Sequence, residues 1–125
     1  LKPLARVVGG ATVGVPPEVM GIGPAPAIRA LSKQTGVGVS QIHRFEINEA
    51  FGAQYLAVEK ELELERARVN VNGGAIAIGH PLAASGVRLT LTAARELRRS
   101  NGEFAVSSAC AGGGQGIAIL LRHAG

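Results

Sequence analysis

With 125 residues, 46% of them hydrophobic, the chain suits a single domain that hides roughly two-thirds of the surface an unfolded chain exposes. Its +4 charge could draw a polyanion, but the arginines are scattered or stand beside glutamates, and three phenylalanines, one tyrosine and no tryptophan leave little to stack on bases, which sets nucleic acid aside. One cysteine excludes an internal disulfide and no apolar run is long enough to span a membrane, so a reducing, cytoplasmic setting is expected unless a longer parent carries organellar targeting.

Residues 4–15 are rich in β-branched and small side chains and predict a buried strand, interrupted at Gly9-Gly10. A strand starting this close to the first residue is expected in a piece of something longer. Pro16-Pro17 end it and residues 20–24 are turn-rich, after which a helix is expected over 27–35, with Pro26 near its start and Gly36 as its stop. Ser40 would cap a short turn before a second strand over 43–47. Asn48-Glu49-Ala50-Phe51 then turns strand into helix over 50–64, with Ala53, Ala57, Val58 and Leu62 as the apolar stripe and Asn48 as the plausible N-cap.

Residues 70–86 form the stretch that the rest of the chain serves, with four glycines, two asparagines and the step Gly79-His80-Pro81. Pro81 fixes its own φ and biases His80 to an extended backbone, so the imidazole is held in one direction. Ser85 is the expected N-cap of the next helix, on which Leu89, Ala93 and Leu97 form a stripe widened by Val87, Leu91 and Ala94. Ser100-Asn101-Gly102 close that helix. Two strand-like runs, 104–109 and 117–122, flank Cys110 and the glycine tract 112–116 and predict an antiparallel hairpin. Strands alternating with helices before a hairpin indicate a layered α/β domain with a mixed sheet.

The glycine tract invites a dinucleotide-binding reading, but the nine residues after it are strand-like, leaving no place for the helix and acidic residue such a site needs. One cysteine and three widely spaced histidines match no zinc pattern. Cys110 alone reads most simply as a small buried hydrophobe, and His80 alone as a structural or solvated side chain. Together they change the balance, because both lie in glycine-dense turns that an α/β sheet could bring to one edge, where an imidazole and a thiol make an acid–base or nucleophilic pair.

Asn48-Glu49-Ala50-Phe51, Gly79-His80-Pro81 and Cys110-Ala111-Gly112 stand in order, with Met20-Gly-Ile-Gly-Pro24 upstream and Asn-Val-Asn-Gly-Gly-Ala-Ile-Ala-Ile-Gly-His-Pro unbroken. This set resembles the carboxy-terminal domain of the thiolases, the acyl-CoA C-acyltransferases, over about residues 1–122. The resemblance implies a thiolase-like layered α/β domain with a mixed five-stranded sheet and helices on both faces. It also implies a Claisen-type exchange, in which 3-ketoacyl-CoA and CoA give acetyl-CoA and a shortened acyl-CoA, or the reverse, within fatty acid metabolism. No covalently bound cofactor and no metal are implied, with coenzyme A as a substrate.

By the same resemblance His80 activates an acyl-accepting cysteine and donates to an oxyanion, Cys110 moves the proton at the substrate α-carbon, and Asn48 positions a water in the oxyanion hole. The N–H of Gly112 helps hold the thioester oxygen, and Met20 and Phe51 line the acyl pocket. A carbanion beside a thioester needs a base near neutral pH, so Cys110 is expected to have a low pKa. Ala83, where the family commonly has glycine, and Gly9-Gly10, where a bulkier residue is common, depart from the pattern.

The family's amino-terminal domain, which carries the nucleophilic cysteine, and its loop domain have no counterpart in these residues. One domain over 1–125 is therefore expected to be half an active site, inactive alone and inclined to self-associate. Its expected partners are acyl-CoA, CoA and an amino-terminal thiolase domain, in a dimeric or tetrameric parent, with neither nucleic acid nor membrane. The alternative is a noncatalytic thiolase-like module that binds an acyl-CoA or acyl carrier or serves assembly; the intact Asn48, His80 and Cys110 favour the enzyme.

Overall fold

The computed structural model describes residues 2–125. Its strands are β1 (Ala5–Gly14), β2 (Arg44–Ile47), β3 (Phe104–Ala111) and β4 (Gln115–His123), joined in one sheet in the order β1-β4-β3-β2. β1 and β3 run antiparallel to β4, while β2 runs parallel to β3. Four helices accompany them: α1 (Pro24–Thr35), α2 (Gly52–Glu61), the single turn α3 (Ala75–Ile78) and the long α4 (Leu82–Ser100).

The two faces follow from the period-two alternation of strand side chains. Val106, Ala118 and Leu120 join Phe45 and Ile47 in packing on Ala27, Ile28 and Leu31 of α1. Ala105 and Leu121 point the other way, onto Ala93, Ala94 and Leu97 of α4. Helices thus cover both faces, as expected.

The sheet has four strands among the described residues, not five. Val69 makes one parallel bridge to Phe45, and Asn70, at φ 46°, then leaves the strand path. Its side-chain amide takes over the pairing: Ile47 N–H donates to Asn70 Oδ1 and Asn70 Nδ2 donates to Ile47 C=O, both at 2.9 Å. One side chain satisfies the edge where a fifth strand would have begun.

Several boundaries move for local reasons. Gly9-Gly10 does not interrupt β1, because the register shift between Val7 and Gly9 leaves Val8 as the extra residue of a bulge and the pairing resumes. α1 starts at Pro24, whose fixed φ suits a first helical position, and ends at Gly36 with φ 74°. Ser40 caps nothing; Gly38 N–H donates instead to Gln41 Oε1 across the turn Val39–Gln41.

α2 is shorter than its pattern and rotated, so that Gln54 and Val58 are buried while Ala53 and Ala57 face outwards. The Gln54 side-chain oxygen accepts the N–H groups of Ala50 and Phe51, at 3.1 and 3.4 Å, which gives this polar side chain its place inside and leaves Asn48 without a capping role.

α4 buries Leu89, Ala93 and Leu97 as predicted, but Val87 and Leu91 stay 70% and 40% exposed. They border an apolar groove of about 630 Å³ between α4 and the β1–β4 half of the sheet, lined also by Leu4, Val7, Ile119 and Leu121. This part of the face is therefore uncovered.

Candidate active site

The cleft lies where β2 and β3 end and α4 begins. It encloses about 330 Å³ and is lined by Met20, Asn48, His80, Leu82, Cys110 and Gly112, among others. Five of the six residues singled out from the sequence therefore meet in one place. Phe51 does not line this cleft: it precedes the first turn of α2 and is 63% exposed.

Asn48 continues the parallel ladder past β2, its N–H donating to Ser108 C=O at 2.9 Å, and this fixes the direction of its buried side chain. Its Nδ2 lies 3.2 Å from His80 Nε2, and its Oδ1 is buried with no hydrogen-bond partner among the described residues. On the other side of the ring, His80 Nδ1 is 2.6 Å from Ser85 Oγ, whose own hydroxyl donates to Pro81 C=O at 3.0 Å. With the Ser85 proton so committed, its oxygen accepts Nδ1–H, and Nε2 is left as the lone-pair nitrogen that accepts from the Asn48 amide. The imidazole thus presents its basic nitrogen to the cleft.

Ser85 is not the N-cap it was expected to be. Pro81 holds that position and Ser85 falls in the first turn of α4, buried, where it sets the tautomer and angle of His80. Serine is a ready N-cap before any apolar stripe, so the sequence pattern concealed this second use.

The sequence reading also passed over the groups that hold the loop carrying His80. Glu49 turns away from Asn48 and accepts Asn70 Nδ2 at 2.9 Å and the N–H of Ile76, in the first turn of α3, at 3.0 Å. A Cβ at Gly74 would meet the Glu49 carboxylate, so a larger residue there would push that carboxylate off its two hydrogen bonds. On the opposite wall, a Cβ on Gly116 would run into Gly23 C=O, so the backbone after Met20 rests directly on the start of β4. That close approach brings Met20 to the cleft.

Cys110 is half-buried near the end of β3, paired with Gly116. Burial pushes its thiol pKa up, with a backbone hydrogen bond opposing the rise. The expected low-pKa cysteine is thereby corrected: no cation acts on the sulfur strongly enough to offset its desolvation. At rest this group is a thiol.

An imidazole, an amide and a thiol converging at the end of a mixed sheet define an α/β domain equipped for proton transfer and oxyanion binding. Residues 1–123 match the family model described as "Thiolase, C-terminal domain", and the chain belongs to that family. It is 55% identical over 121 residues to the mitochondrial 3-ketoacyl-CoA thiolase of Bos taurus, covering 97% of this chain and 30% of that protein. It is 50% identical to a beta-ketoadipyl-CoA thiolase of Acinetobacter baylyi over 125 residues, 98% of this chain and 31% of the relative.

Among solved structures, human mitochondrial 3-ketoacyl-CoA thiolase in complex with CoA superposes with a TM-score of 0.97 at 52% identity, over 98% of this chain and 31% of that one. The Bacillus anthracis acetyl-CoA acetyltransferase gives 0.96 at 49%, with the same coverage. The chain thus spans about 30% of the length of the curated relatives it matches.

Proposed function

We propose that this domain supplies a thiolase with its oxyanion and proton-transfer groups, acting with an amino-terminal part that brings the nucleophilic thiol. The contact between His80 Nε2 and the Asn48 amide, in the same cleft as Cys110, carries the proposal. In the cleavage direction His80 Nε2 takes the proton of the nucleophilic thiol, which attacks the 3-keto carbon. The bond between the α- and β-carbons breaks, and its electron pair goes to the enolate of the departing acetyl-CoA.

Nε2–H, now a donor, and a water held by Asn48 receive the enolate oxygen. Cys110 gives its proton to the α-carbon, and the thiol form favoured by burial is the form this step needs. The resulting thiolate then takes the proton of CoA, which attacks the acyl-enzyme and releases the shortened acyl-CoA; the nucleophilic thiolate so expelled takes back its proton from His80 Nε2. Gly112 N–H is assigned to the thioester oxygen. Met20 is assigned to the acyl pocket, and Phe51 only to its outer rim.

The relatives are named for both 3-ketoacyl-CoA and beta-ketoadipyl-CoA, so the substrate proposed is the 3-ketoacyl thioester and not a fatty acyl chain in particular. Coenzyme A is proposed as substrate, supported by a structural neighbour titled as its complex with CoA. The uncovered apolar groove meets the cleft at Gly86, which lines both, and supports an amino-terminal part seated across that face. A dimeric or tetrameric parent is retained. Mitochondrial and bacterial relatives support a reducing compartment, either the bacterial cytoplasm or an organelle.

Thiolysis of acetoacetyl-CoA by the full-length polypeptide that carries this domain tests the proposal. Turnover that His80→Ala or Cys110→Ala lowers by at least about a thousandfold is the expected result, within the range for losing a general acid or base. The 125-residue chain alone should show no turnover. CoA-dependent cleavage by the isolated chain, or a full-length protein indifferent to both substitutions, would overturn it.

A further inference from the structure

Glu49 stands between the two residues that make the proposed oxyanion contact. It follows Asn48 directly, so its backbone is fixed with the end of β2. Across the gap, His80 is joined through Gly79, at φ 91°, to α3, a single turn of four residues. So short a helix does not hold itself in water, and where it lies decides where His80 lies.

Among the described residues one hydrogen bond ties α3 to the end of β2, from Ile76 N–H to Glu49 Oε2 at 3.0 Å. The other oxygen of the same carboxylate accepts Asn70 Nδ2 at 2.9 Å. Asn70 is itself fixed on β2, by its two side-chain bonds to Ile47 and by its own N–H, which donates to Phe45 C=O at 2.9 Å. The carboxylate is thus oriented by β2 on one side and holds α3 on the other. Both of its partners are donors, which suits a group that only accepts; a Gln amide would turn its NH₂ towards one of them. Past Ile76, the next hydrogen bond between the two segments is the contact of Asn48 Nδ2 with His80 Nε2 itself.

We propose that Glu49 is a positioning residue, which seats α3 against the end of β2 and so keeps His80 Nε2 in register with the Asn48 amide. The role deepens the thiolase reading given above and rests on it. Glu49 does not line the cleft, so it acts through His80 and Asn48 and not on substrate.

Two substitutions disturb this seat from opposite sides. Glu49→Ala removes the carboxylate. Gly74→Ala keeps it but puts a Cβ where the carboxylate lies, and the Gly74 backbone, at φ −112°, is open to any residue, so the effect passes through Glu49. In the full-length enzyme that carries this domain each should lower kcat about 10- to 100-fold, the scale expected when a reacting group moves by about 1 Å. KM for acetoacetyl-CoA should stay within about twofold, since no substrate contact is removed. Glu49→Gln, which keeps one acceptor, should fall between Glu49→Ala and wild type. In Glu49→Ala/Gly74→Ala the added Cβ meets no carboxylate, so the double variant should be no slower than Glu49→Ala alone.

In every slowed variant the hydrogen-bonded Nδ1–H proton resonance of His80 should shift or broaden, which a smaller folded fraction alone would not cause. An unchanged kcat, losses that multiply in the double variant, a raised KM with kcat intact, or an unmoved His80 resonance would overturn the role. If Glu49→Ala does not fold, Glu49→Gln and Gly74→Ala decide by the same readouts. A full-length wild type without turnover would instead remove the thiolase reading, and the His80 resonance in Glu49→Gln would still decide whether the carboxylate holds the imidazole.

Discussion

Replacing Glu46 by Gln should stabilise the domain at alkaline pH and flatten its pH dependence. Burial raises the Glu46 carboxyl from 4.5 to about 7, with Arg88 opposing the rise and Glu96 and Glu49 adding to it. The folded chain therefore keeps a proton that the unfolded chain has lost, and stability from this source is complete below pH 4.5 and lost as pH climbs through about 7. At ~1.4 kcal/mol per tenfold change in proton affinity, the full span is at most about 3.5 kcal/mol.

Glu96 and Glu59 act in a different window. Desolvation raises Glu96, but the hydrogen bonds from Asn72 and Arg99 outweigh it, and Glu59 is lowered by its hydrogen bonds from Arg66 and Tyr55. Their contributions are present above pH 4.5 and fade below it. Urea unfolding of the 125-residue chain, followed by circular dichroism, should show stability rising from alkaline pH towards pH 4.5 and falling at lower pH. In Glu46→Gln the slope between pH 4.5 and about 7 should vanish, with a gain of about 1–3 kcal/mol just above pH 7, while the loss at higher pH from the raised Cys110 thiol and Tyr55 hydroxyl remains. A variant that keeps the wild-type slope, or is less stable above pH 7, would refute the assignment.

Ser85→Ala leaves His80 Nδ1–H without its acceptor and should lower kcat of the full-length enzyme about 10- to 100-fold, the equivalent of a lost hydrogen bond of ~1–3 kcal/mol, as steady-state kinetics would show. Glu49→Gln weakens the hold on Asn70 and the first turn of α3, and should cost about 1–2 kcal/mol and speed amide hydrogen exchange across residues 70–79. The isolated chain should associate with rising concentration through its uncovered apolar face, and Val87→Glu should shift it towards monomer in sedimentation velocity.

The long helices and the hairpin were legible because their signals are local. Leu89, Ala93 and Leu97 repeat at helical spacing, Gly36 and Asn101 accept the left-handed backbone that ends a helix, and three glycines join two apolar runs. What escaped was polar side chains taking the place of backbone. Asn70 stands in for a strand at Ile47, and Gln54 caps α2 from inside, where a count of apolar positions looks for Ala53. Neither use leaves a periodic trace, since each depends on a partner far away or on the turn just before it.

The candidate site divides along the same line. Asn48, His80 and Cys110 were found because short motifs mark them; Ser85, which determines which ring nitrogen faces the cleft, was hidden by an equally good local role as a helix cap. Cys110 shows the limit from the other side. Its motif suggested a reactive base, whereas the state of its proton depends on burial and on whatever charge stands over it. In this domain burial dominates and keeps the proton on the sulfur, which fits a group that must protonate a carbanion before it can act as a base. In the proposed reaction its turn as a base comes after the enolate has been discharged and CoA arrives, so one thiol could serve both directions of transfer without a permanently low pKa.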